Sequence, residues 1–229
     1  MCGRYTITVS LEELMALYFA EDATAPHPWR PRYNVAPMQL VPAVVSDGSR
    51  NRLGLLRWGL VPPWAEDEKI GARMINARAE TLEERPAFRR AYRSKRCILP
   101  ADGFYEWKKD GKQKRPLRIV MRDGRVFGMA GLYETWTAPD GRKIHTCAVI
   151  TTAPNRLMAD IHDRMPVILR REDEALWLDR SVQDPERLRP LLAPYPAEEM
   201  EAYEVDPRVG NPAFDDPDLI RRRTDDRRE

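Results

Sequence analysis

Asp-Gly dipeptides between apolar segments constrain the fold of this chain more than any other feature. They include Asp47-Gly48, Asp110-Gly111, Asp123-Gly124 and Asp140-Gly141. Asp-Gly between alternating apolar residues is a strong signal for a β-hairpin, because glycine accepts the positive φ of a tight turn. The sequence therefore predicts consecutive antiparallel strands, at about the spacing found in a β-sandwich or β-barrel.

The predicted elements fill most of the chain around these turns. Strands are predicted at 6–9, 40–45, 53–58, 97–99, 103–107, 117–121, 126–136, 144–152, 167–169 and 201–205. Helices are predicted at 11–18 behind the Ser10–Glu13 capping box, at 79–92 with an interruption at Pro86, and at 155–161, 174–178 and 185–192. The 20 prolines argue against a helical bundle. We predict one α+β domain with a mainly antiparallel sheet over residues 2–206.

Residues 207–229 are predicted to be a mobile C-terminal extension, because they are rich in Pro, Asp and Arg. The three cysteines lie at positions 2, 97 and 147, a spacing that does not predict a disulfide framework. The first residues lack the apolar region of a signal peptide, and no apolar stretch approaches the roughly 20 residues of a membrane helix. We therefore expect a cytoplasmic protein that does not bind membranes.

The charge of the chain is unevenly distributed. The formal net charge is only +2, but residues 1–170 hold 28 basic and 19 acidic side chains, whereas residues 171–229 hold 10 and 17. The first part is therefore a candidate surface for a polyanion. The alternative is that these charges are scattered over a solvated surface, since no basic run dominates.

Cys2 is the most informative residue. Its side chain is small enough for an aminopeptidase to remove Met1, which would leave an α-amine and a thiol on one residue. The α-amine has a pKa of about 7.7–8.0, so much of it is unprotonated near neutrality. Such a residue can form a Schiff base with an aldehyde and close it to a thiazolidine, or it can act as an N-terminal nucleophile in a hydrolase. The alternative is an ordinary buried cysteine.

Candidate partners for this nucleophile are a histidine and a carboxylate. His162 follows a predicted helix and can be presented by a loop, whereas His145 lies in a predicted strand and His27 in a proline-rich loop. Glu106 shares a strand face with Phe104 and is flanked by aromatic residues, which favours desolvation and a raised pKa. The alternative for Glu106 is an exposed strand position.

Arginines and tryptophans form a third pattern. Asn76 and Arg78 would face the same way in an extended segment that also holds Arg73. Arginine combined with exposed aromatic residues is typical of proteins that bind single-stranded nucleic acid. Candidates are Arg4, Arg73, Arg78, Arg164, Trp58 and Trp64, and the alternative for each tryptophan is core packing. The sequence has no Cys-x-x-Cys, His-Glu-x-x-His, P-loop or Gly-x-Gly-x-x-Gly motif, so we predict neither a metal nor a cofactor.

Seven motifs occur in an order that identifies a family. They are Met1-Cys2-Gly3-Arg4-Tyr5, Pro31-Arg32-Tyr33-Asn34-Val35-Ala36-Pro37, Arg57-Trp58-Gly59-Leu60-Val61-Pro62, Asn76-Ala77-Arg78-Ala79-Glu80, Cys97-Ile98-Leu99-Pro100-Ala101-Asp102-Gly103-Phe104-Tyr105-Glu106-Trp107, Ala130-Gly131-Leu132-Tyr133 and His162-Asp163-Arg164-Met165-Pro166. Together they cover residues 2 to about 169. The chain resembles the SOS response-associated peptidase (SRAP) family, whose members shield abasic sites in single-stranded DNA.

The resemblance implies a chemistry centred on Cys2. After loss of Met1, by an aminopeptidase or by self-cleavage, Cys2 would form a thiazolidine DNA–protein crosslink with the ring-opened sugar. Asn76 would orient the amine, Glu106 would move protons, and His162 would assist ring opening and reversal of the crosslink. Lyase activity is a further possibility.

The resemblance also implies how DNA is held. Arg4, Arg78 and Arg164 would hold phosphates, and Trp64 and Pro37 would support a kinked strand. The implied fold is a compact α+β domain with antiparallel sheets that close into a barrel-like body with a basic cleft. The implied partner is single-stranded DNA with abasic sites. We take a monomer as the default state, expect it to associate with the nucleoid when it binds DNA, and expect no metal because the metal-binding motifs are missing.

Two other functions remain open at this point. Cys2 would equally suit a cysteine peptidase that attacks an amide. The arginines and tryptophans would suit a noncovalent module that binds single strands. Adduct formation with abasic DNA distinguishes the first hypothesis from both.

Overall fold

The computed structural model describes residues 2–24 and 29–223. Its strands are β1 (Tyr5–Ile7), β2 (Ala20–Asp22), β3 (Arg32–Val35), β4 (Leu40–Ser46), β5 (Asn51–Trp58), β6 (Asn76–Arg78), β7 (Arg96–Ala101), β8 (Gly103–Asp110), β9 (Gln113–Met121), β10 (Phe127–Thr137), β11 (Lys143–Thr152), β12 (Met165–Pro166) and β13 (Met200–Glu204). Its α-helices are α1 (Leu11–Tyr18), α2 (Pro86–Ser94), α3 (Arg156–Ala159), α4 (Glu174–Leu178) and α5 (Pro185–Leu188). Short 3-10 helices occupy Glu68–Arg73, Ala79–Thr81, Arg171–Asp173, Arg189–Leu192, Ala197–Glu199, Pro207–Gly210 and Pro217–Ile220.

Five strands form a closed barrel in the order β11-β10-β7-β4-β5. Neighbours along this path are antiparallel, and the ring closes where β11 pairs with β5 in parallel, at Thr146–Arg57 and Cys147–Trp58. Strands β6 and β12 extend the barrel beside β11, and β2 extends it beside β5. The predicted α+β domain with a barrel-like body is thus confirmed.

A second, antiparallel sheet has the order β13-β9-β8-β1-β3. Strand β1 pairs with β8 at Tyr5–Phe104 and Thr6–Gly103. Because β8 carries Glu106 and β1 begins three residues after Cys2, this sheet brings the start of the chain next to Glu106. The Tyr5 ring packs edge-to-face with the Trp58 ring of the barrel, with the ring centroids 5.3 Å apart.

The predicted turns form, with one difference. Gly48, Gly111, Gly124 and Gly141 all have positive φ, between 58° and 103°. The turns at Gly48, Gly111 and Gly141 close hairpins, as predicted. The turn at Gly124 joins β9 in one sheet to β10 in the other. A turn dipeptide fixes a local change of direction, but it does not decide which strands pair.

Two predicted elements were wrong. Pro86 does not interrupt a helix but begins α2, where the missing N–H of proline costs nothing. Residues 167–169 are not a strand, because β12 ends at Pro166. Beyond it, Val167 donates to Ile150 of β11 and Leu169 donates to Gly128 of β10, so the segment does not extend a single ladder.

The main core holds Cys97 and Cys147, both fully buried, as predicted for these two residues. A smaller cluster is formed by Tyr105, Val205, Val209 and Leu219. Two of its members lie beyond residue 206, so the described part of the predicted extension packs against the domain. Residues 224–229, and the loop position His27, lie outside the described residues.

Arg96 stabilises the packing of the helices on the barrel. Its buried guanidinium donates hydrogen bonds of 2.5–2.9 Å to the carbonyl oxygens of Tyr92, Arg93, Trp177, Asp179 and Val182. We expect Arg96→Met to lower the free energy of unfolding by about 3–5 kcal/mol, because it leaves buried carbonyl groups without donors. Urea unfolding measures this, with exposed Arg90→Met as the control at about 0.5 kcal/mol or less. Equal effects of the two substitutions would contradict the prediction.

Candidate active site

Cys2 is completely buried and lies three residues before the start of β1. The adjoining backbone is tied to β8, since the Tyr105 N–H donates to the Arg4 carbonyl at 3.0 Å. Burial raises the pKa of the Cys2 thiol well above its ordinary value, and the negative charge of Glu106 raises it further. The thiol is therefore neutral at pH 7 and lies within electrostatic range of the Glu106 carboxylate.

Glu106 is buried in the face of β8 that looks toward the main core. Phe104 belongs to that core, whereas Tyr105 and Trp107 belong to the smaller cluster on the opposite face, as the alternation of β-strand side chains predicts. Only 3% of Glu106 is exposed, so it does not occupy an exposed strand position. Burial raises the pKa of this carboxyl to about 7.

His162 faces Glu106 from the loop between α3 and β12. Its Nε2 lies 3.9 Å from Glu106 Oε2. Burial lowers the pKa of the imidazole. The pKa of the Glu106 carboxyl is thus raised and that of the His162 imidazole is lowered, which moves each value toward the ordinary value of the other. The two groups can therefore exchange a proton near neutral pH at low cost.

The His162 ring has two neighbours at its other nitrogen. Nδ1 accepts a hydrogen bond from the Arg164 N–H at 3.0 Å and lies 2.9 Å from Asp163 Oδ1. The first contact suits the neutral ring with its proton on Nε2, directed toward Glu106. The second suits the imidazolium, so both protonation states of His162 have a polar neighbour at Nδ1.

Arg164 fixes the loop that carries His162. Its guanidinium forms two hydrogen bonds to the carboxylate of Glu80, at 2.8 and 2.9 Å, and donates to the Thr151 carbonyl at 2.7 Å. The predicted role of Arg164 was to hold phosphate. In this structure its two terminal nitrogens donate to protein groups, and Glu80, which the sequence analysis did not single out, is its main partner.

Asn76 lies in β6, opposite Val149 of β11. Its Nδ2 donates to the Ile75 carbonyl at 3.1 Å. Its Oδ1 is buried and has no hydrogen-bond partner within residues 2–24 and 29–223. An acceptor left in this state is suited to an N–H donor that arrives with a reaction partner.

A groove of about 400 Å³ opens next to Asn76. Its walls combine exposed aromatic, apolar and basic residues: Trp64, Arg73, Met74, Asn76, Arg78, Thr81, Arg85, Pro86, Ala87 and Phe88. Trp64 is 59% exposed, so it is not a core residue, whereas Trp58 is fully buried. Asn76 and Arg78 line the same groove, as their spacing predicts.

Two other predicted DNA contacts do not line this groove. Arg4 donates to the Asn34 side chain at 2.9 Å and to the carbonyls of Val209 and Gly210 at 2.6 and 3.1 Å. Pro37 is half-buried and, like Arg4, is not among the described residues that line the groove. The sequence analysis in turn missed Arg85 and Phe88, whose place in the groove depends on the start of α2.

Within the described ranges there is no group of three or more His, Cys, Asp or Glu side chains arranged to hold a metal ion. No helix in the same part of the chain is long and apolar enough to cross a membrane. The catalytic candidates described above are a thiol, a carboxyl, an imidazole and an amide.

Comparison with known proteins gives a consistent result. Residues 1–212 match the family model described as "SOS response associated peptidase (SRAP)". Abasic site processing protein YoqW of Bacillus subtilis is 52% identical over 96% of this chain and 99% of its own. YedK of Escherichia coli, with the same descriptive name, is 31% identical over 96% and 99%.

Solved structures agree with this result. A crystal structure of a Bacteroides thetaiotaomicron protein superimposes with a TM-score of 0.90 at 30% identity, covering 97% of this chain and all of that one. The match therefore extends to both sequence and fold over nearly the whole length. This chain belongs to the SOS response-associated peptidase family.

Proposed function

We propose that this protein processes abasic sites in single-stranded DNA by forming a covalent thiazolidine crosslink through Cys2, after removal of Met1. The observation that carries the proposal is the buried Cys2 within electrostatic range of Glu106, which itself lies 3.9 Å from His162. The relatives named abasic site processing proteins support the substrate class. The crosslinking unit is proposed to be a cytoplasmic monomer that associates with the nucleoid when it binds DNA.

The reaction begins with opening of the sugar ring. An abasic deoxyribose is mostly a closed hemiacetal, and only its open form has an aldehyde. Glu106 as carboxylate removes the proton of the anomeric hydroxyl, while His162 protonates the ring oxygen. After this step Glu106 carries a proton and His162 has lost one. Because the two side chains are neighbours, the proton can pass from Glu106 to His162, which restores their initial protonation states.

The crosslink then forms through two new bonds to the aldehyde carbon, first from nitrogen and then from sulfur. The Cys2 amine adds to the aldehyde carbon, and loss of one water gives a Schiff base. The Cys2 thiol adds to the same carbon, and its proton goes to the nitrogen, which closes the five-membered ring. Asn76 Oδ1 accepts an N–H of the amine and fixes its direction. The adduct thus contains protein plus DNA less one water.

The raised pKa of the Cys2 thiol supports this order of events. A buried neutral thiol is a weak nucleophile, whereas a substantial minority of the α-amine, on the order of a tenth to a third, is free base near neutral pH. The amine therefore attacks first, and the thiol adds to an already electrophilic carbon. Reversal follows the same path backwards, with His162 and Glu106 supplying and removing protons.

The groove supports a single strand as substrate. Arg73, Arg78 and Arg85 supply positive charge, and Trp64 supplies an exposed ring on which a base can stack. Since the lesion has no base, the groove has no need of base-specific contacts. We expect binding that depends little on sequence and weakens with salt.

Trp64→Ala is expected to weaken binding of an intact single strand by about 5- to 150-fold, equivalent to about 1–3 kcal/mol of stacking. Fluorescence anisotropy of a labelled oligonucleotide measures this. Phe19→Ala is a matched control, because Phe19 is 88% exposed and does not line the groove. Equal affinity of both variants and the wild type would exclude Trp64 from the binding surface.

A cysteine peptidase remains the second candidate, because the family description itself contains the word peptidase. In this alternative the Cys2 thiol attacks an amide and His162 protonates the leaving amine. Water then hydrolyses the resulting thioester, which releases the acid and restores the thiol. We expect such peptide cleavage only in cis, at Met1. Lyase activity belongs to the crosslinking function, and we expect it to accompany slow reversal of the crosslink. Turnover of added peptides by the wild type but not by Cys2→Ala would favour a peptidase that acts in trans.

The proposal is tested with abasic and intact oligonucleotides of the same sequence on a denaturing gel. We expect a heat-stable adduct with the abasic strand alone. No adduct with a protein that has lost Met1, under conditions where it binds the strand, would overturn covalent capture and leave a noncovalent module.

A further inference from the structure

The arginines between residues 73 and 93 differ from most others in the protein. In the described part of the chain, the six side chains in this interval form no hydrogen bond or ion pair: Arg73, Arg78, Arg85, Arg89, Arg90 and Arg93. Elsewhere arginines are mostly paired with carboxylates, as Arg32 is with Asp215 and Arg125 with Glu199. Six cations in a short interval that have no hydrogen bond or ion pair within the described residues indicate a surface whose counterions come from outside the protein.

Half of these arginines lie on α2. Arg89 and Arg93 are four residues apart on α2 and continue from Arg85, the residue before the helix, so the three lie along one side. Arg90 lies on the same exposed half, because Phe88, Ala91 and Tyr92 occupy the buried side. The helix therefore has an apolar face toward the barrel and an arginine face toward solvent.

Nearby carboxylates do not cancel this charge. Glu80 is occupied by Arg164, and Glu83 pairs with Arg189 at 3.0 Å. Glu84 is the remaining exposed carboxylate directly before the helix. The arginine face thus keeps most of its positive charge.

The arginine face continues the groove beside Asn76. Arg85 and Phe88, at the start of α2, line that groove together with Trp64 and Arg78. We propose that the face formed by Arg89, Arg90 and Arg93 is a second phosphate-binding surface, which holds the DNA strand where it leaves the groove. This inference rests on the proposed function, because it extends the path of the same strand.

The length of the helix sets the size of the added site. Nine residues at about 1.5 Å each make α2 roughly 13 Å long, which corresponds to two to four phosphates of one strand. Since only the start of α2 lines the groove and the rest of the helix continues beyond it, we infer that the added contacts fall on one side of the lesion. Lengthening the oligonucleotide on that side should tighten binding, whereas lengthening it on the other side should not.

The test compares salt dependence in two multiple variants. Arg89→Ala/Arg90→Ala/Arg93→Ala removes the proposed surface, and Arg50→Ala/Arg221→Ala removes exposed arginines from other parts of the chain. For each, the dissociation constant for an intact single strand is measured by anisotropy between 50 and 300 mM salt, roughly the range in which phosphate contacts dominate. Each lost phosphate contact lowers the slope of log K against log salt by about 0.7.

The triple substitution at Arg89, Arg90 and Arg93 is called the α2 variant. We expect the magnitude of its slope of log K against log salt to be smaller than that of the wild type by about 2, and we expect it to bind long strands no more tightly than short ones. We expect the control to keep the wild-type slope and length dependence. A wild-type slope in the α2 variant, or an equal decrease of the slope in the α2 variant and the control, would overturn the inference. Circular dichroism at equal concentration shows whether α2 is still folded, and Arg→Lys at the three positions should retain the slope.

The two proposals fail in different ways. The α2 variant should still crosslink an abasic strand at saturating protein, because Cys2, Glu106 and His162 are unchanged. Absence of adduct in the wild type counts against the proposed function. An unchanged slope with normal crosslinking counts against the α2 surface alone.

Discussion

Replacing Cys2 by alanine is expected to eliminate the heat-stable adduct with abasic DNA. Alanine is small enough for Met1 to be removed, so the variant still presents an α-amine. That amine can form a Schiff base, but without a thiol the five-membered ring cannot close. We therefore expect no adduct after heating, and a residual adduct only when borohydride reduces the imine.

A second cysteine provides the matched control. Cys147 is also fully buried and its thiol pKa is also raised by burial, but it lies in β11 of the barrel. Cys147→Ala should crosslink like the wild type. Loss of the adduct in both variants would indicate a general structural effect, and a heat-stable adduct with Cys2→Ala would contradict the mechanism.

Glu106→Gln is expected to slow crosslinking by about 10²- to 10⁴-fold, the usual contribution of a positioned general base. Glutamine keeps the shape and polarity of the side chain but cannot accept the proton. The ratio of wild-type to variant rates should rise as pH increases through about 7, where the Glu106 carboxyl ionises. Titration of the Cys2 amine affects both proteins and cancels in this ratio.

Single-turnover rates between pH 5.5 and 8.5 measure this effect, a range of roughly one and a half units on each side of the carboxyl pKa. Exposed Glu84→Gln is a suitable control, since it should leave the rate unchanged at every pH. A constant ratio of wild-type to Glu106→Gln rates across the range would contradict the role of Glu106 as base.

Glu106→Gln lowers the crosslinking rate, but it should increase the free energy of unfolding at high pH. Burial raises the pKa of Glu106 from 4.5 to about 7, so the folded protein holds this proton more tightly than the unfolded chain does. The associated stability is complete below about pH 4.5 and is lost as pH rises through about 7. Above that pH, Glu106→Gln should be more stable than the wild type by at most about 3 kcal/mol, because an ionised carboxylate is no longer buried. Urea unfolding at pH 5 and pH 8.5, roughly the two sides of this window, measures the difference.

Local features of the sequence predict much of this fold. Asp-Gly dipeptides gave the hairpins at Gly48, Gly111 and Gly141, because glycine at positive φ determines a turn without help from distant residues. The closure of the barrel could not be predicted in this way. It depends on the parallel pairing of Thr146 with Arg57, which are far apart in sequence and carry no local signal of their contact.

The same distinction between local signals and tertiary contacts applies to the candidate site. Alternation along β8 predicts that Glu106 shares a face with Phe104, and spacing predicts that Asn76 and Arg78 share a groove. Which arginines are free for DNA depends on tertiary partners. Arg4 is held by carbonyls of residues 209 and 210, and no sequence pattern near Arg4 indicates this.

Mass spectrometry of the purified adduct tests the central claim most directly. The wild-type protein is incubated with an abasic oligonucleotide, its intact mass is recorded, and the crosslinked peptide is sequenced after digestion. We predict a mass equal to protein without Met1 plus DNA less one water, with the attachment at Cys2. Attachment at another residue, or an adduct that retains Met1, would contradict the account.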